Sequence, residues 1–406
     1  MVRNASVIGR DFDLPLLESL CSDLSEQEFL DSFDEAVAAQ VIQSSPTMAR
    51  QFKFGHALIQ QTVDEEFSPM GKMRMHSTIA DALEQRYETG VDGHAAKLAH
   101  HFAEAGTSDG KEKAISYSLI AGEYALSTFA YEQALNNFTR VLTFKNGRNV
   151  DDQAAQALFG LGRAQAALLP RDELGEAHHN LLKAFDYYVE TKNTPQIVAI
   201  GEFPIIALNE HSIPTGSLAA RALELVSPDS PEAARLHGLY GRTQGMEYAN
   251  NKTAQESFDK ALAIAKREGD LKLELTTLLN ATQVDSWHHD FQLALERSQQ
   301  AVEIAVSISD PRSEAAARYF LSIATRTLGD MVGYKTQAAK LLEPAEKLQD
   351  RYWLAPAYST AAMSYYFDGD MESAMKYNNL GLAQMPMDPR VLLHRLFIEA
   401  VSGNQE

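Results

Sequence analysis

The sequence predicts an all-α fold, a solenoid of helical hairpins about 40 residues long, preceded by a small module of helices and a short β-hairpin. Three observations carry this. Asp290, Asp330 and Asp370 lie 40 residues apart, and Asp270, Asp310 and Asp350 keep the same step half a period away. Such self-similarity marks stacked units, each leaving an apolar face for its neighbour to cover. Ala294, Ser298, Ala301, Ala305 and Ile308 follow the i, i+4, i+7 spacing that buries one helix face. Finally, 406 residues are too many for one compact core, which favours an elongated array.

Residues 1–68 form the opening module. Two helical patterns, Asp13 to Leu20 and Ser25 to Gln40, precede short apolar pieces at Val41-Ile42 and Phe52-Lys53-Phe54. The turn-rich stretch Ser44-Ser45-Pro46-Thr47 joins those pieces into a predicted hairpin. Helices followed by a hairpin predict a winged helix, here short at its start. Ser25 and Glu28 make a capping box that fixes the start of the second helix. That helix carries Glu26, Glu28, Asp31, Asp34 and Glu35 with no Lys or Arg, and residues 1–65 hold four basic against eleven acidic residues. A balance of −7 repels a phosphate backbone, so the module is expected to meet protein and not nucleic acid.

Residues 69–106 read as a helical connector, with helices from Met70 to Tyr87 and His94 to Ala105 around Thr89-Gly90-Val91-Asp92-Gly93. Residues 107–406 are the array. Lys111 to Ser127 pairs with Tyr131 to Phe144, and Gly122, Ala134 and Phe138 fall at the small, small and aromatic offsets of a tetratricopeptide hairpin. Residues 191–230 are irregular, because Pro195, Pro204, Pro214 and Pro228 interrupt helices. Beyond them each unit has a first helix ending near Asn250, Asp290, Asp330 or Asp370 and a second ending near Asp270, Asp310, Asp350 or Asp388. The aspartates are punctuation, stopping one helix and capping the next.

Catalytic signatures are missing. The pairs Gly71-Lys72 and Gly110-Lys111 are followed by Met73 and Glu112 instead of a hydroxyl residue, so neither is a phosphate-binding loop. No His-Glu-x-x-His or Gly-x-Ser-x-Gly motif occurs. A single cysteine, Cys21, excludes an intrachain disulfide and a multi-cysteine metal cluster, and fits a reducing compartment. The adjacent pairs His100-His101, His178-His179 and His288-His289 should point about 100° apart on a helix and so fail to share an ion. The chain is therefore expected to be non-enzymatic, with no cofactor or metal of its own. No stretch approaches 18 uninterrupted apolar residues, and the net charge of −19 disfavours broad adhesion to nucleic acid or anionic membrane. A cytoplasmic, soluble, non-membrane protein is expected.

Four ordered segments carry a family resemblance: Ala5-Ser6-Val7-Ile8-Gly9-Arg10-Asp11-Phe12, Phe54-Gly55-His56-Ala57-Leu58-Ile59, Arg74-Met75-His76 with Ala80 and Leu83-Glu84, and His94-Ala95-Ala96-Lys97-Leu98-Ala99-His100-His101-Phe102. Together they resemble the winged-helix region after the ATPase domain of bacterial STAND-type signalling ATPases, including LuxR-type regulators and ATPases associated with class III cyclases. The array resembles the tetratricopeptide sensor of those proteins. The resemblance implies that His56 approaches a bound nucleotide's phosphate when an ATPase domain is supplied. Measured against that family, the sequence opens inside the module's first helix with no ATPase domain before it, and reaches Glu406 with no helix-turn-helix output domain. A fragment, a split gene or a truncated relative is the expectation.

The function expected is a regulatory or sensor module of a STAND-type ATPase, holding a protein, peptide or small effector in its solenoid, with an ATPase domain acting in trans. Met246, Glu247, Gln283, Trp287, Tyr319, Arg326, Tyr366 and Phe367 fall on successive first helices and are the candidate groove. By residue type alone several serve equally as inter-repeat core. The alternatives are a generic tetratricopeptide scaffold, or part of a transcription regulator or cyclase-associated ATPase.

Overall fold

A computed structural model of the chain describes residues 1–44, 50–87, 91–146, 149–169, 173–203 and 215–402. Two compact units divide it, Met1–Lys192 and Asn193–Glu406.

The first unit opens with α1 (Val2–Ile8), β1 (Asp11–Asp13), α2 (Leu14–Ser19), α3 (Glu26–Ala38), β2 (Ile42–Ser44), β3 (Gln51–Phe54) and α4 (Ala57–Asp64). The expected hairpin is present: β2 and β3 are antiparallel, with Ile42 opposite Phe54. Most of its expected turn, Ser45-Pro46-Thr47, lies outside the described residues. β1, which the sequence did not signal, adds to the other edge of β3 and pairs Phe12 with Phe52, giving the order β1-β3-β2. Phe12 and Phe54 turn inward to a core shared with Leu17, Phe29, Phe33 and Ile42, their rings meeting edge to face. The capping box forms as expected, the Ser25 backbone N–H donating to Glu28 and the Glu28 backbone N–H donating to Ser25.

Next come α5 (Pro69–Arg86), α6 (Ala95–Ala105), α7 (Ser108–Ser127), α8 (Tyr131–Lys145), α9 (Asp152–Leu168) and α10 (Leu174–Glu190), each packing on the next. The close approach inferred at Gly122 has a clear cause. A Cβ there would lie 2.5 Å from the Phe138 ring, and the same ring presses on Gly160 of α9.

The second unit begins with two short helices, α11 (Thr194–Gly201) and α12 (Thr215–Leu223). Pro195 occupies the first turn of α11, where its missing N–H costs nothing, so it opens a helix and does not break one. Pro204 and Pro214 lie outside the described residues. Then come the regular hairpins: α13 (Pro231–Met246) with α14 (Asn251–Glu268), α15 (Leu271–Trp287) with α16 (Phe291–Ser307), α17 (Pro311–Thr327) with α18 (Met331–Leu348), and α19 (Arg351–Phe367) with α20 (Met371–Gln384), closed by α21 (Pro389–Ser402). First helices touch in succession, α13 to α15 to α17 to α19 to α21. This is a tetratricopeptide-like solenoid.

The periodic aspartates cap helices as expected. Asp270, Asp290, Asp330 and Asp370 each accept from the backbone N–H three residues on, at 2.8–3.2 Å. Asp310 and Asp350 accept from the N–H two residues on as well or instead. A partner feature accompanies them. The residue before each cap is left-handed, whether glycine (Gly269, Gly329, Gly369) or not (His289, Ser309, Gln349). That turn lets the amides of Asp270, Asp290, Asp310, Asp330 and Asp370 reach back to the carbonyl five residues earlier, satisfying the end of the preceding helix.

One buried polar cluster braces two hairpins. The Asp285 side chain is fully buried on α15 and takes Arg297 at 2.9 and 3.0 Å and Gln255 at 2.8 Å. Burial pushes its carboxyl upward, while Arg297 pulls the other way. No helix among the described residues is long and apolar enough to cross a membrane.

Candidate functional site

The first helices of the second unit carry the expected groove residues, and the structure puts these to different uses. Met246 leans on Ala254, Phe258, Ala281 and Val284, so it contributes mainly to packing between hairpins. Gln283 accepts from Arg242 Nε at 3.0 Å, and Glu247, at the C-cap of α13, adds its charge to the surroundings of the same guanidinium. Trp287 stands at the end of α15, 60% exposed. Tyr366 packs partly beside Ala362, Ala374 and Ile398.

The remaining three, Tyr319, Arg326 and Phe367, meet at one site. Tyr319 and Arg326 on α17 line a cavity of about 210 Å³ with Tyr334 of α18, Thr360 of α19, and Arg390 and His394 of α21. Phe367 supports it from behind, its ring meeting Tyr334 edge to face at 6.0 Å. The Tyr334 hydroxyl donates to the Thr360 carbonyl at 2.8 Å, and burial raises its pKa, so the phenol stays neutral and fixed.

The charges in the cavity are unequal. Arg390 is held in a two-pronged contact with Asp388, at 2.6 and 3.0 Å, and crosses the Tyr319 ring. Arg326 lies 5.9 Å from the centre of the Tyr334 ring and forms no ion pair among the described residues. His394 lies 2.6 Å from Ser359 Oγ through Nδ1. Burial, then the neighbouring Arg326, holds its pKa down to about 4, so the ring is neutral at physiological pH. One uncompensated guanidinium, a second locked in place, a neutral imidazole and two phenol rings make a receptor for an anionic, planar group such as a carboxylate. Arg390 and His394 could not be found from the repeat, since they follow the last periodic aspartate.

His56 is exposed at the N-cap of α4, directly after β3, and its side chain makes no capping bond. Its neighbour Gly55 admits no side chain, because a Cβ would strike the Gln40 carbonyl.

His100 and His101 do converge: with His76 from α5, each offers a ring nitrogen, and the three nitrogens lie within 4.8 Å of one another. Adjacent side chains diverge at Cβ, but an imidazole reaches far enough to turn back toward a third ring on the next helix. His288 behaves differently, its Nε2 lying 2.8 Å from the Gly245 carbonyl.

No family model matches the chain, and no curated protein matches it in sequence. Among solved structures it is similar to a signal transduction ATPase with numerous domains (STAND) carrying a tetratricopeptide repeat sensor, from Pyrococcus horikoshii, with TM-score 0.53 and 13% identity. That match covers 98% of this chain and 65% of the other, so the chain spans somewhat less than two thirds of that protein. A Rap protein complexed with competence and sporulation factor matches over 73% of this chain and 84% of its own, with TM-score 0.44 and 15% identity. Yeast Tom70 matches over 93% and 79%, with TM-score 0.38 and 16% identity. At 13% identity the first likeness is one of fold, that of tetratricopeptide-type helical repeats.

Proposed function

We propose that the chain is the regulatory and sensor part of a STAND-type switch, non-enzymatic itself, whose solenoid holds a partner segment through a carboxylate seated on Arg326. The observation that carries the binding reading is the guanidinium of Arg326, facing a cavity with aromatic walls and no acid paired to it among the described residues. The occupant is a protein or peptide partner, with a small carboxylate effector as the variant of the same chemistry. Tyr319 and Arg326, with Phe367 behind, form its centre, and Trp287 and Tyr366 its outer contacts.

The element order helix, strand, helix, helix, strand, strand over residues 1–54 supports reading the module at 1–68 as a winged helix, followed by a connector at 69–106 and the sensor array at 107–406. The sensor named in the Pyrococcus protein supports the same assignment. In this reading the acidic module faces an ATPase domain, and exposed His56 donates to the phosphate of its bound nucleotide. LuxR-type regulators and cyclase-associated ATPases are the settings this implies.

Fluorescence polarisation over a set of short peptides ending in a free carboxylate, each with its amidated twin, tests the pocket. Free acids should bind more tightly than amides, and Arg326→Ala should weaken the best of them at least tenfold, about 1.4 kcal/mol. Equal binding of acids and amides, or no effect of Arg326→Ala, would remove the assignment. A tetratricopeptide scaffold without a switch is the reading left if the pocket binds while residues 1–105 engage no ATPase domain.

A further inference from the structure

We infer that His76, His100 and His101 form a binding site for one divalent transition-metal ion, Zn²⁺ by ligand chemistry, that clamps α5 to α6. His76 lies on α5 and His100 and His101 on α6, with one ring nitrogen from each within 4.8 Å of the other two. The Nδ1 atoms of His76 and His101 are 2.9 Å apart. Tetrahedral zinc with Zn–N near 2.0–2.1 Å needs nitrogens roughly 3.3 Å from each other, so small rotations of the rings would complete the set. Imidazole nitrogens without thiolates select zinc, copper, nickel or cobalt over magnesium or calcium.

Two further features distinguish the cluster from ordinary packing. His76 and His101 are both buried, an uncommon place for two imidazoles in contact. His100 is exposed, giving an ion a route in, and Glu104, one helical turn on, adds a negative charge that acts on His100 and favours a cation. Three cations approach. Lys72 is paired with Asp64, the exposed Lys97 acts on His101, and Arg140, held by the neutral Asn137 amide, is opposed by the charge of Glu104. The role of such an ion is structural: it would tie the connector helices together, stiffening the segment between the N-terminal module and the array.

The test uses the full chain, freed of metal by chelation and dialysis. Co²⁺ added alone should give the intense visible absorption of a tetrahedral site at one ion per chain, and Zn²⁺ should displace it. His100→Ala, whose exposed side chain can be removed without opening the core, should abolish the spectrum or weaken binding at least tenfold. Saturating Zn²⁺ should raise the melting temperature of the natural chain and leave that of His100→Ala unchanged. Glu104→Gln should weaken binding without abolishing it. Absence of stoichiometric Co²⁺ and Zn²⁺ binding by the natural chain would overturn the inference, as would binding that His100→Ala leaves intact.

Discussion

Replacing Arg297 by Ala should destabilise the second unit by about 3–4 kcal/mol at neutral pH, and the loss should fade in acid. Asp285 is wholly buried, and Arg297 supplies two of its contacts, with Gln255 the third. Removing one partner of a buried pair costs about 3–5 kcal/mol, because the remaining charge is left uncompensated. The carboxylate has one escape, which is to take up a proton. From an ordinary pKa near 3.9, neutralising it at pH 7 costs about 1.4 kcal/mol for each of roughly three units, or about 4 kcal/mol, which sets a ceiling. Burial already holds the folded pKa of Asp285 above its ordinary value, and without Arg297 it rises further, so the folded variant binds the extra proton and its deficit shrinks as pH falls. At pH 5 the ceiling is about 1.5 kcal/mol. Hydrogen exchange of α15 and α16 peptides, measured at both pH values against the natural chain, reads this locally. A deficit below 1 kcal/mol at pH 7, or one equal at pH 5 and pH 7, would refute the reasoning.

Other perturbations follow from the same geometry. His289→Gly, Ser309→Gly and Gln349→Gly each relieve a left-handed backbone and should each stabilise the fold by about 1 kcal/mol, seen as additive rises in denaturation midpoint. Gly122→Ala drives a methyl into the Phe138 ring and should cost about 1–3 kcal/mol, largely recovered on adding Phe138→Leu; a neutral Gly122→Ala would contradict the packing. His394, with its folded pKa held down to about 4, binds fewer protons folded than unfolded. Its contribution is therefore complete above about pH 6.5 and is lost as pH falls toward 4; His394→Phe should flatten that part of the stability profile.

Much of the solenoid was legible because its signals are local. Asp270 through Asp370 announce helix starts through their own capping bonds, and the Gly122–Phe138 contact is written as a small residue facing a large one at hairpin spacing. What stayed hidden depends on partners distant in sequence. β1 is three residues long, too short for a periodic signal, and owes its existence to pairing with β3. Asp285 and Arg297 look like any acid and base until burial joins them. Arg390 and His394 meet Tyr319 and Arg326 only because α21 docks beside α19. The convergence of His76 with His100 and His101 escaped because helix angle alone ignores side-chain reach. Of the expected groove, Met246 proved closer to core than to surface, a distinction residue type cannot make.

The central claim, that this chain is the sensor part of a STAND-type switch, is tested most directly by co-purifying it with an ADP-loaded STAND-type ATPase domain. The account predicts a complex that needs residues 1–105 and that His56→Ala weakens in the presence of ADP but not without nucleotide. A chain that fails to associate, or that associates equally without residues 1–105, would contradict it.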